Sequence, residues 1–239
     1  MRVAAQPYDF PVGACFEPRR TALLVIDMQR DFCEPDGYVQ ARGDDISEMR
    51  GIIPTIRRVR DAAELAGIMM IYTREGHRPN LSDLPATKRH RTSLAGAEIG
   101  SAGPLGRLLI RGEPGWDFVD ELRPRPQDTV IDKPGTGSFR STDLHHVLTS
   151  SGIDCVVLVG VTTAVCVSST AREASDLGYG VLVLSDCCAE PDPENHRMAL
   201  QLLQIEGGYI ATVSTADEFI AATQTPTSQG RELENQTNG

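Results

Sequence analysis

Six short runs of aliphatic and β-branched residues recur along the chain, and stretches with helical periodicity separate them. The runs cover residues 21–26, 68–72, 128–131, 155–160, 180–185 and 209–214, with helices predicted near 46–66, 141–151, 165–177 and 194–206. Continuous apolar runs are typical of strands covered on both faces. Their alternation with helices predicts an α/β fold, a doubly wound parallel sheet with helices on both faces. Gly67, Gly152 and Gly178 stand where left-handed helix C-caps are expected.

Two regions break this rhythm. Residues 74–127 are rich in proline, glycine and charge, which predicts a functional or interface insertion. Residues 223–239 are polar and are predicted to be disordered. The chain is therefore divided into an N-terminal extension (1–20), a single domain (20–222) and a tail (223–239).

Composition narrows the class of partner. The chain has 239 residues and a formal net charge of −10, which disfavours a nucleic-acid surface and favours a small-molecule substrate. No apolar run reaches the length of a membrane span, and the N-terminus lacks the apolar core of a signal peptide. We expect a cytoplasmic protein. The six cysteines lack disulfide or CxxC spacing, so thiols are expected, with the Cys187–Cys188 pair at a strand end running into a turn.

Three chemically active residues follow predicted strands. Asp27 ends the first strand, Lys133 ends the third, and Cys166 lies in a loop and helix start after the fourth, in "GVTTAVC". Ligands of doubly wound sheets bind beyond the carboxyl ends of the strands, so these residues are predicted to share one crevice.

Together the three residues suit nucleophilic catalysis. A helix N-terminus and a nearby cation favour a thiolate at Cys166, Asp27 is the candidate proton acceptor, and Lys133 can hold both in register. Taken singly, Asp27 could be a turn or helix cap, Lys133 an exposed loop lysine and Cys166 a core residue. The segment "KPGTGSF" lacks the order of a phosphate-binding loop, so nucleotide binding is not expected.

The segments "LLVIDMQRDF", "DKPGTGSF" and "GVTTAVCVSSTAREASDLGY" resemble the isochorismatase-like cysteine hydrolases over about residues 20–222. The resemblance implies a six-stranded parallel sheet of order 3-2-1-4-5-6 and a cofactor-free catalytic triad of Asp27, Lys133 and Cys166. It also implies an oxyanion hole made by the backbone N–H groups of Thr162 and Cys166, with a cis peptide between Val161 and Thr162.

The resemblance also bears on metal and substrate. Nicotinamidase relatives bind metal through an Asp-x-His pattern after strand two, where this chain has His77 without that pair, so no metal is expected.

The insertion is most similar to the ureide branch, namely biuret and triuret hydrolases and ureidoacrylate amidohydrolases. Glu206, in "IEGG", stands where biuret hydrolases carry a substrate-facing glutamine. A carboxylate accepts two parallel hydrogen bonds from a urea unit, so Glu206 is predicted to bind substrate, and the alternative is a surface glutamate before a Gly-Gly turn.

These observations predict a cysteine amidohydrolase acting on a small linear ureide through a thioester. Triuret is the first candidate substrate, biuret the second, and a ureidoacrylate or N-carbamoyl amino acid the third. The competing class is a non-catalytic binding or thiol-redox module of the same fold. The insertion and the modest size predict a homo-oligomer, which the resemblance implies is often a tetramer.

Overall fold

The computed structural model describes residues 2–14 and 16–224. At its centre lies one six-stranded sheet of order β3-β2-β1-β4-β5-β6, in which every neighbouring pair is parallel. The strands are β1 Thr21–Ile26, β2 Met69–Glu75, β3 Thr129–Lys133, β4 Cys155–Val161, β5 Gly180–Ala189 and β6 Thr212–Ser214. This order confirms the predicted doubly wound topology.

Helices of very different length surround the sheet. They are α1 Arg30–Cys33, α2 Tyr38–Ala41, α3 Ser47–Gly51, α4 Ile53–Leu65, α5 Ala86–Leu94, α6 Leu144–Ser150, α7 Ser168–Asp176, α8 Pro193–Leu203, α9 Ile205–Gly208 and α10 Ala216–Gln224. Short 3-10 turns cover Pro18–Arg20, Pro114–Trp116 and Asp120–Leu122, and a two-stranded hairpin pairs Ala102–Gly103 with Gly106–Arg107. Gly67, Gly152 and Gly178 all have positive φ, as their predicted capping role requires.

The core has two layers because side chains alternate along each strand. On β1, Leu23 and Val25 face the layer that contains α4 and α10, while Leu24 and Ile26 face the layer that contains α6 and α7. Every residue of β1 is buried, which explains its uninterrupted apolar sequence.

The regions outside the regular alternation are part of this core. Val3, Phe10 and Phe16 of the N-terminal extension are buried, and Gln6 pairs with Val213 beside the edge strand β6. The insertion contributes α5 and several buried residues, among them Ile99, Leu109, Ile110, Phe118 and Leu122. The extension therefore covers a sheet edge, and the insertion is a packed lobe of the domain.

Strand β5 is longer than predicted, so the adjacent cysteines Cys187 and Cys188 are not at a strand end. Cys187 and Cys188 lie inside the strand rather than in a turn, so they point to opposite faces and belong to different core layers. Burial raises the pKa of both thiols.

The predicted tail begins at residue 223, but residues 223 and 224 end α10, and the remainder lies outside the described residues. In the part of the chain that the structure describes, no helix has the length and apolarity of a membrane span.

Candidate active site

The carboxyl ends of β1, β3 and β4 bring the three predicted catalytic residues together. The Lys133 ammonium lies 2.7 Å from Oδ2 of Asp27 and also donates to the carbonyl oxygens of Gly135 (3.0 Å) and Thr136 (2.9 Å). The thiol of Cys166 lies within 4.8 Å of a carboxylate oxygen of Asp27. All three residues are buried, which excludes the exposed-loop alternative for Lys133.

The local backbone explains how a cysteine reaches this position. Gly160 near the end of β4 has φ of 116°, and a Cβ there would lie 2.1 Å from the carbonyl oxygen of Ile26 on β1. Only glycine permits so close an approach with this backbone conformation. The chain then passes through a π-helical turn, Thr163–Val167, which carries Cys166 immediately before α7. Such turns are frequent at functional sites.

The electrostatic state of Cys166 differs from the sequence expectation. Burial, with the nearby charges of Asp27 and Glu75, raises its pKa well above the ordinary value, although the Lys133 ammonium acts in the opposite direction. The expectation of a favoured thiolate was wrong, because a helix N-terminus and one cation do not outweigh desolvation beside two carboxylates. The thiol of Cys166 therefore needs a proton acceptor.

The Asp27–Lys133 pair is fully buried. Burial raises the pKa of Asp27 above its usual range, against the opposing effect of Lys133, while Oδ1 of Asp27 accepts a hydrogen bond from Thr73 at 2.6 Å. Burial alone would lower the pKa of Lys133, but the surrounding anions raise it. The lysine therefore remains an ammonium at neutral pH.

Glu75, the last residue of β2, is a site residue that the sequence analysis missed. Its Oε2 accepts from the Cys166 thiol at 3.3 Å and lies 3.7 Å from the Lys133 ammonium. Burial would raise the pKa of Glu75, but Lys133 and Lys88 outweigh it and hold the pKa below its ordinary value. The signal was available, because Glu75 obeys the same strand-end rule as Asp27 and Lys133.

Cys166 opens onto a cavity of about 270 Å³ between the sheet edge and the insertion. The cavity is lined by Phe32, Tyr38, Val39, Arg42, Glu75, Lys88, Arg91, Thr92, Ile99, Leu109, Thr136, Thr162, Val165, Cys166, Glu190 and Pro191. The peptide between Val161 and Thr162 is cis, as the family resemblance implies. Glu190 follows β5 and accepts from the backbone N–H of Ala164 at 2.6 Å, which ties down the loop before Cys166.

Glu206 does not join this cavity. It is exposed in α9 and lines a separate surface pocket with Arg172, Tyr209 and others. The topology gives the reason, because α8 starts at the carboxyl edge of the sheet and ends at the amino edge, where α9 lies. The predicted contact between Glu206 and a substrate at Cys166 therefore cannot form within one chain.

The donor atoms of Asp27, Glu75 and Cys166 lie within 4.8 Å of one another, and they form the one cluster of potential metal ligands among residues 2–14 and 16–224. The Lys133 ammonium already lies 2.7 Å from Asp27 and 3.7 Å from Glu75. A resident metal ion would have to share this small space with a buried cation, so these residues fit a metal poorly.

A doubly wound sheet with a thiol, carboxylates and a buried lysine at its carboxyl edge is the arrangement of an α/β cysteine hydrolase. Residues 21–218 match the Isochorismatase domain model, and the chain belongs to the isochorismatase family. It is a hydrolase of that family.

Individual relatives agree with this assignment. The chain is 35% identical over 232 residues to ureidoacrylate amidohydrolase RutB of Serratia proteamaculans (strain 568), covering 92% of this chain and 89% of the relative. It is 34% identical over 207 residues to ureidoacrylate amidohydrolase RutB of Acinetobacter baylyi (strain ATCC 33305 / BD413 / ADP1), covering 84% of each chain. A cysteine hydrolase structure from Pseudomonas syringae pv. phaseolicola 1448A superposes with a TM-score of 0.74 at 27% identity, covering 88% of this chain and 95% of that one.

Proposed function

We propose that this protein is a cysteine amidohydrolase that cleaves a C–N amide bond of a small linear ureide. The observation that carries the proposal is the Cys166 thiol, which opens onto a small cavity and is surrounded by the buried charges of Asp27, Glu75 and Lys133. A positioned thiol with a proton acceptor in reach is the arrangement that nucleophilic acyl transfer requires.

The reaction has two halves. Sγ of Cys166 attacks the amide carbonyl carbon and its proton passes to a carboxylate, after which the C–N bond breaks and the protonated nitrogen leaves as ammonia or an amine. Water then hydrolyses the thioester and restores the thiol. The backbone N–H groups of Thr162 and Cys166 are the proposed donors to the oxyanion of both tetrahedral intermediates.

The lining of the cavity supports a ureide. The cavity volume of about 270 Å³ suits a molecule of few heavy atoms. Glu190 is a buried carboxylate in its wall, and a carboxylate accepts hydrogen bonds from the N–H groups of a urea unit. It takes over the role that was predicted for Glu206, and it supports neutral ureides such as triuret and biuret as the first candidates.

Arg91 favours a second candidate, a ureide that also carries a carboxylate. Arg91 lines the same cavity, is exposed, and has no carboxylate partner among the residues that the structure describes. A guanidinium suits bidentate recognition of a carboxylate. The two RutB relatives are named for ureidoacrylate, which is such a compound.

An ammonia-release assay on triuret, biuret, ureidoacrylate and N-carbamoyl amino acids tests the proposal, with Arg91→Met measured beside wild type. Loss in the variant on the carboxylate-bearing substrates alone would identify the anionic subclass. Equal activity of both proteins on biuret or triuret would identify the neutral one. Mass-spectrometric detection of an acyl adduct on Cys166 is expected in either case. Its absence, together with no ammonia release from any of these compounds, would instead support a binding or thiol-redox module.

A further inference from the structure

Asp31, on the short helix α1, is a buried carboxylate that the proposed reaction does not use. It follows Asp27 by four residues and is 1% exposed. Its hydrogen-bond partners are two backbone N–H groups, and no basic side chain in the part of the chain that the structure describes pairs with it. A carboxylate buried without a cation lowers the stability of the fold, so its hydrogen bonds must supply something that a neutral residue would not.

The two hydrogen bonds of Asp31 reach two separate walls of the cavity at Cys166. Oδ1 accepts from the N–H of Tyr38 at 3.2 Å, and Oδ2 accepts from the N–H of Leu109 at 2.9 Å. Tyr38 begins α2, so its N–H has no acceptor within that helix, whereas Leu109 belongs to the insertion. Both residues line the cavity. One carboxylate therefore connects two walls that are distant in sequence.

Leu109 is the wall residue that most needs this contact. Its φ is 52°, in the left-handed region that residues with a Cβ rarely adopt. Asp31 accepts from its N–H, and the N–H of His77 donates to its carbonyl oxygen at 2.9 Å. A strained backbone persists only where its surroundings fix it, and here both polar groups of the residue are held. Loss of the Asp31 contact would let Leu109 relax and move its side chain in the cavity.

Gly115 allows the insertion to approach the carboxylate. A Cβ at residue 115 would lie 2.6 Å from Oδ1 of Asp31, so a larger residue would displace that oxygen. The insertion is also attached to α1 by a contact that does not involve the carboxylate, because the N–H of Arg30 donates to the carbonyl oxygen of Asp117 at 2.9 Å. We therefore expect the insertion to stay attached when the Asp31 side chain changes.

We propose that Asp31 is a positioning residue of the active site, whose carboxylate clasps the cavity walls at Tyr38 and Leu109 and so keeps the cavity in the shape that binds substrate. The substrate-binding part of this proposal rests on the amidohydrolase function proposed above. We call the carboxylate and its two N–H donors the Asp31 clasp.

The charge of Asp31 decides whether it can hold both walls. A carboxylate accepts at both oxygens, whereas a carboxylic acid turns one oxygen into a donor that faces an N–H group. Burial raises the pKa of Asp31 to about 6, against the effect of its two N–H donors and with a further contribution from the negative charge of Glu113. The Asp31 clasp is therefore complete above about pH 6 and loses one contact below it.

Glu113 is the charged group of the insertion that acts on Asp31. The titratable groups on α1 itself and on the helices packed against it are Arg30, Cys33, Tyr38, Glu48 and Arg50. Burial raises the pKa of the Cys33 thiol and of the Tyr38 phenol, so both stay neutral across the range in which Asp31 titrates. A transition near pH 6 in the two walls is therefore assigned to Asp31.

Hydrogen exchange of the Tyr38 and Leu109 amides, measured by NMR, tests the clasp without substrate. In Asp31→Asn the side-chain NH2 faces one of the two N–H groups, so the protection factor of at least one amide should fall by about ten- to one-hundred-fold. Wild type should show the same loss between pH 7.5 and 5 with a midpoint near pH 6, and Asp31→Asn should show no such midpoint. Unchanged protection of both amides in the variant would overturn the proposal.

Kinetics on the best ureide test the consequence for the site. Asp31 acts on the cavity walls rather than on the reacting thiol, so Asp31→Asn should raise KM about tenfold and change kcat by less than about threefold. The wild-type KM should rise from pH 7.5 towards 5, whereas that of the variant should stay high throughout. Asp45→Asn is the matched control, because Asp45 accepts the N–H of Ser47 at 3.0 Å but is exposed. A fall in kcat at constant KM in Asp31→Asn would contradict a role in the walls.

Gly115→Ala is a second variant, which keeps the charge of Asp31 and displaces its Oδ1. The protection of the Tyr38 amide should fall and KM should rise, as in Asp31→Asn. Gly51→Ala is its control, because a Cβ there meets nothing within 4 Å. Wild-type protection and wild-type KM in Gly115→Ala would contradict the clasp. Exchange needs no substrate, so failure to hydrolyse any ureide would refute the proposed function and leave the exchange result standing.

Discussion

Replacing Lys133 by methionine should destabilise the fold far more than a surface change, because it leaves Asp27 buried without its cation. At 2.7 Å the attraction between the two charges is about 6 kcal/mol at an effective dielectric constant of about 20. The carbonyl oxygens of Gly135 and Thr136 lose their donor as well. Removing one partner of a buried ion pair costs about 3–5 kcal/mol, and we expect a loss in this range.

The assay is urea unfolding at pH 7.5 on four proteins: wild type, Lys133→Met, Asp27→Asn and the double variant. The double variant should be more stable than the sum of the two single losses predicts, because it leaves neither charge alone. A loss below about 1 kcal/mol in Lys133→Met, or additive losses in the double variant, would refute the reasoning.

The sign of the pH dependence gives an independent check on the same variant. Without Lys133, the folded-state pKa of Asp27 lies above its unfolded value by a wider margin than in wild type. Stability from such a group is lost as pH rises through the folded pKa. The deficit of Lys133→Met relative to wild type should therefore shrink as the pH is lowered from 7.5 towards 5. A deficit that grows on acidification would contradict a stranded carboxylate.

Three other outcomes follow from the site and its backbone. Cys166→Ala and Cys166→Ser should lose essentially all ammonia release while keeping the wild-type circular dichroism spectrum. Cys187→Ala should stay active. Ammonia release by Cys166→Ala within a few-fold of wild type would exclude the thioester. Prolonged chelation should leave activity intact, and loss that Zn²⁺ restores would indicate a metal enzyme. Gly160→Ala should lower the free energy of unfolding by about 2–6 kcal/mol, because the new Cβ would meet the Ile26 carbonyl oxygen at 2.1 Å. Gly51→Ala, where a Cβ meets nothing within 4 Å, is the control and should be neutral or stabilising.

The sheet could be predicted from the sequence because its strands are buried on both faces and read as continuous apolar runs. Strand ends were harder to predict, because polar residues belong to the strand where it reaches the site. Strand β2 was predicted to end at residue 72 and continues to Glu75, and β5 was predicted to end at 185 and continues to Ala189. The strand-end rule that found Asp27 and Lys133 therefore stopped short of Glu75 and missed Glu190, which directly follows β5.

Glu206 shows the opposite error. A family pattern suggested a substrate contact, but position along the fold decides which edge of the sheet a residue reaches. A residue between a helix and the next parallel strand lies at the amino edge, and ligands bind at the carboxyl edge. Lys88 could not have been predicted in this way, because the insertion has no repeating pattern and its helix packs where tertiary contacts direct it. The raised pKa of Cys166 likewise depends on its burial in the folded site and then on the charges of Asp27 and Glu75, which are distant from it in sequence.

Lys88 and Lys133 are the two lysines of the chain, and their placement at Glu75 makes the side-chain amines of this protein unusually easy to address chemically. Lys133 is fully buried and Lys88 is about one quarter exposed, so an amine-directed reagent has one accessible lysine, and that lysine lines the cavity. Among the lysine side chains, acylating or carbamylating reagents should therefore modify Lys88, which would remove the charge that pairs with Glu75. Coupling through lysine would attach a dye or a solid support at the mouth of the active site.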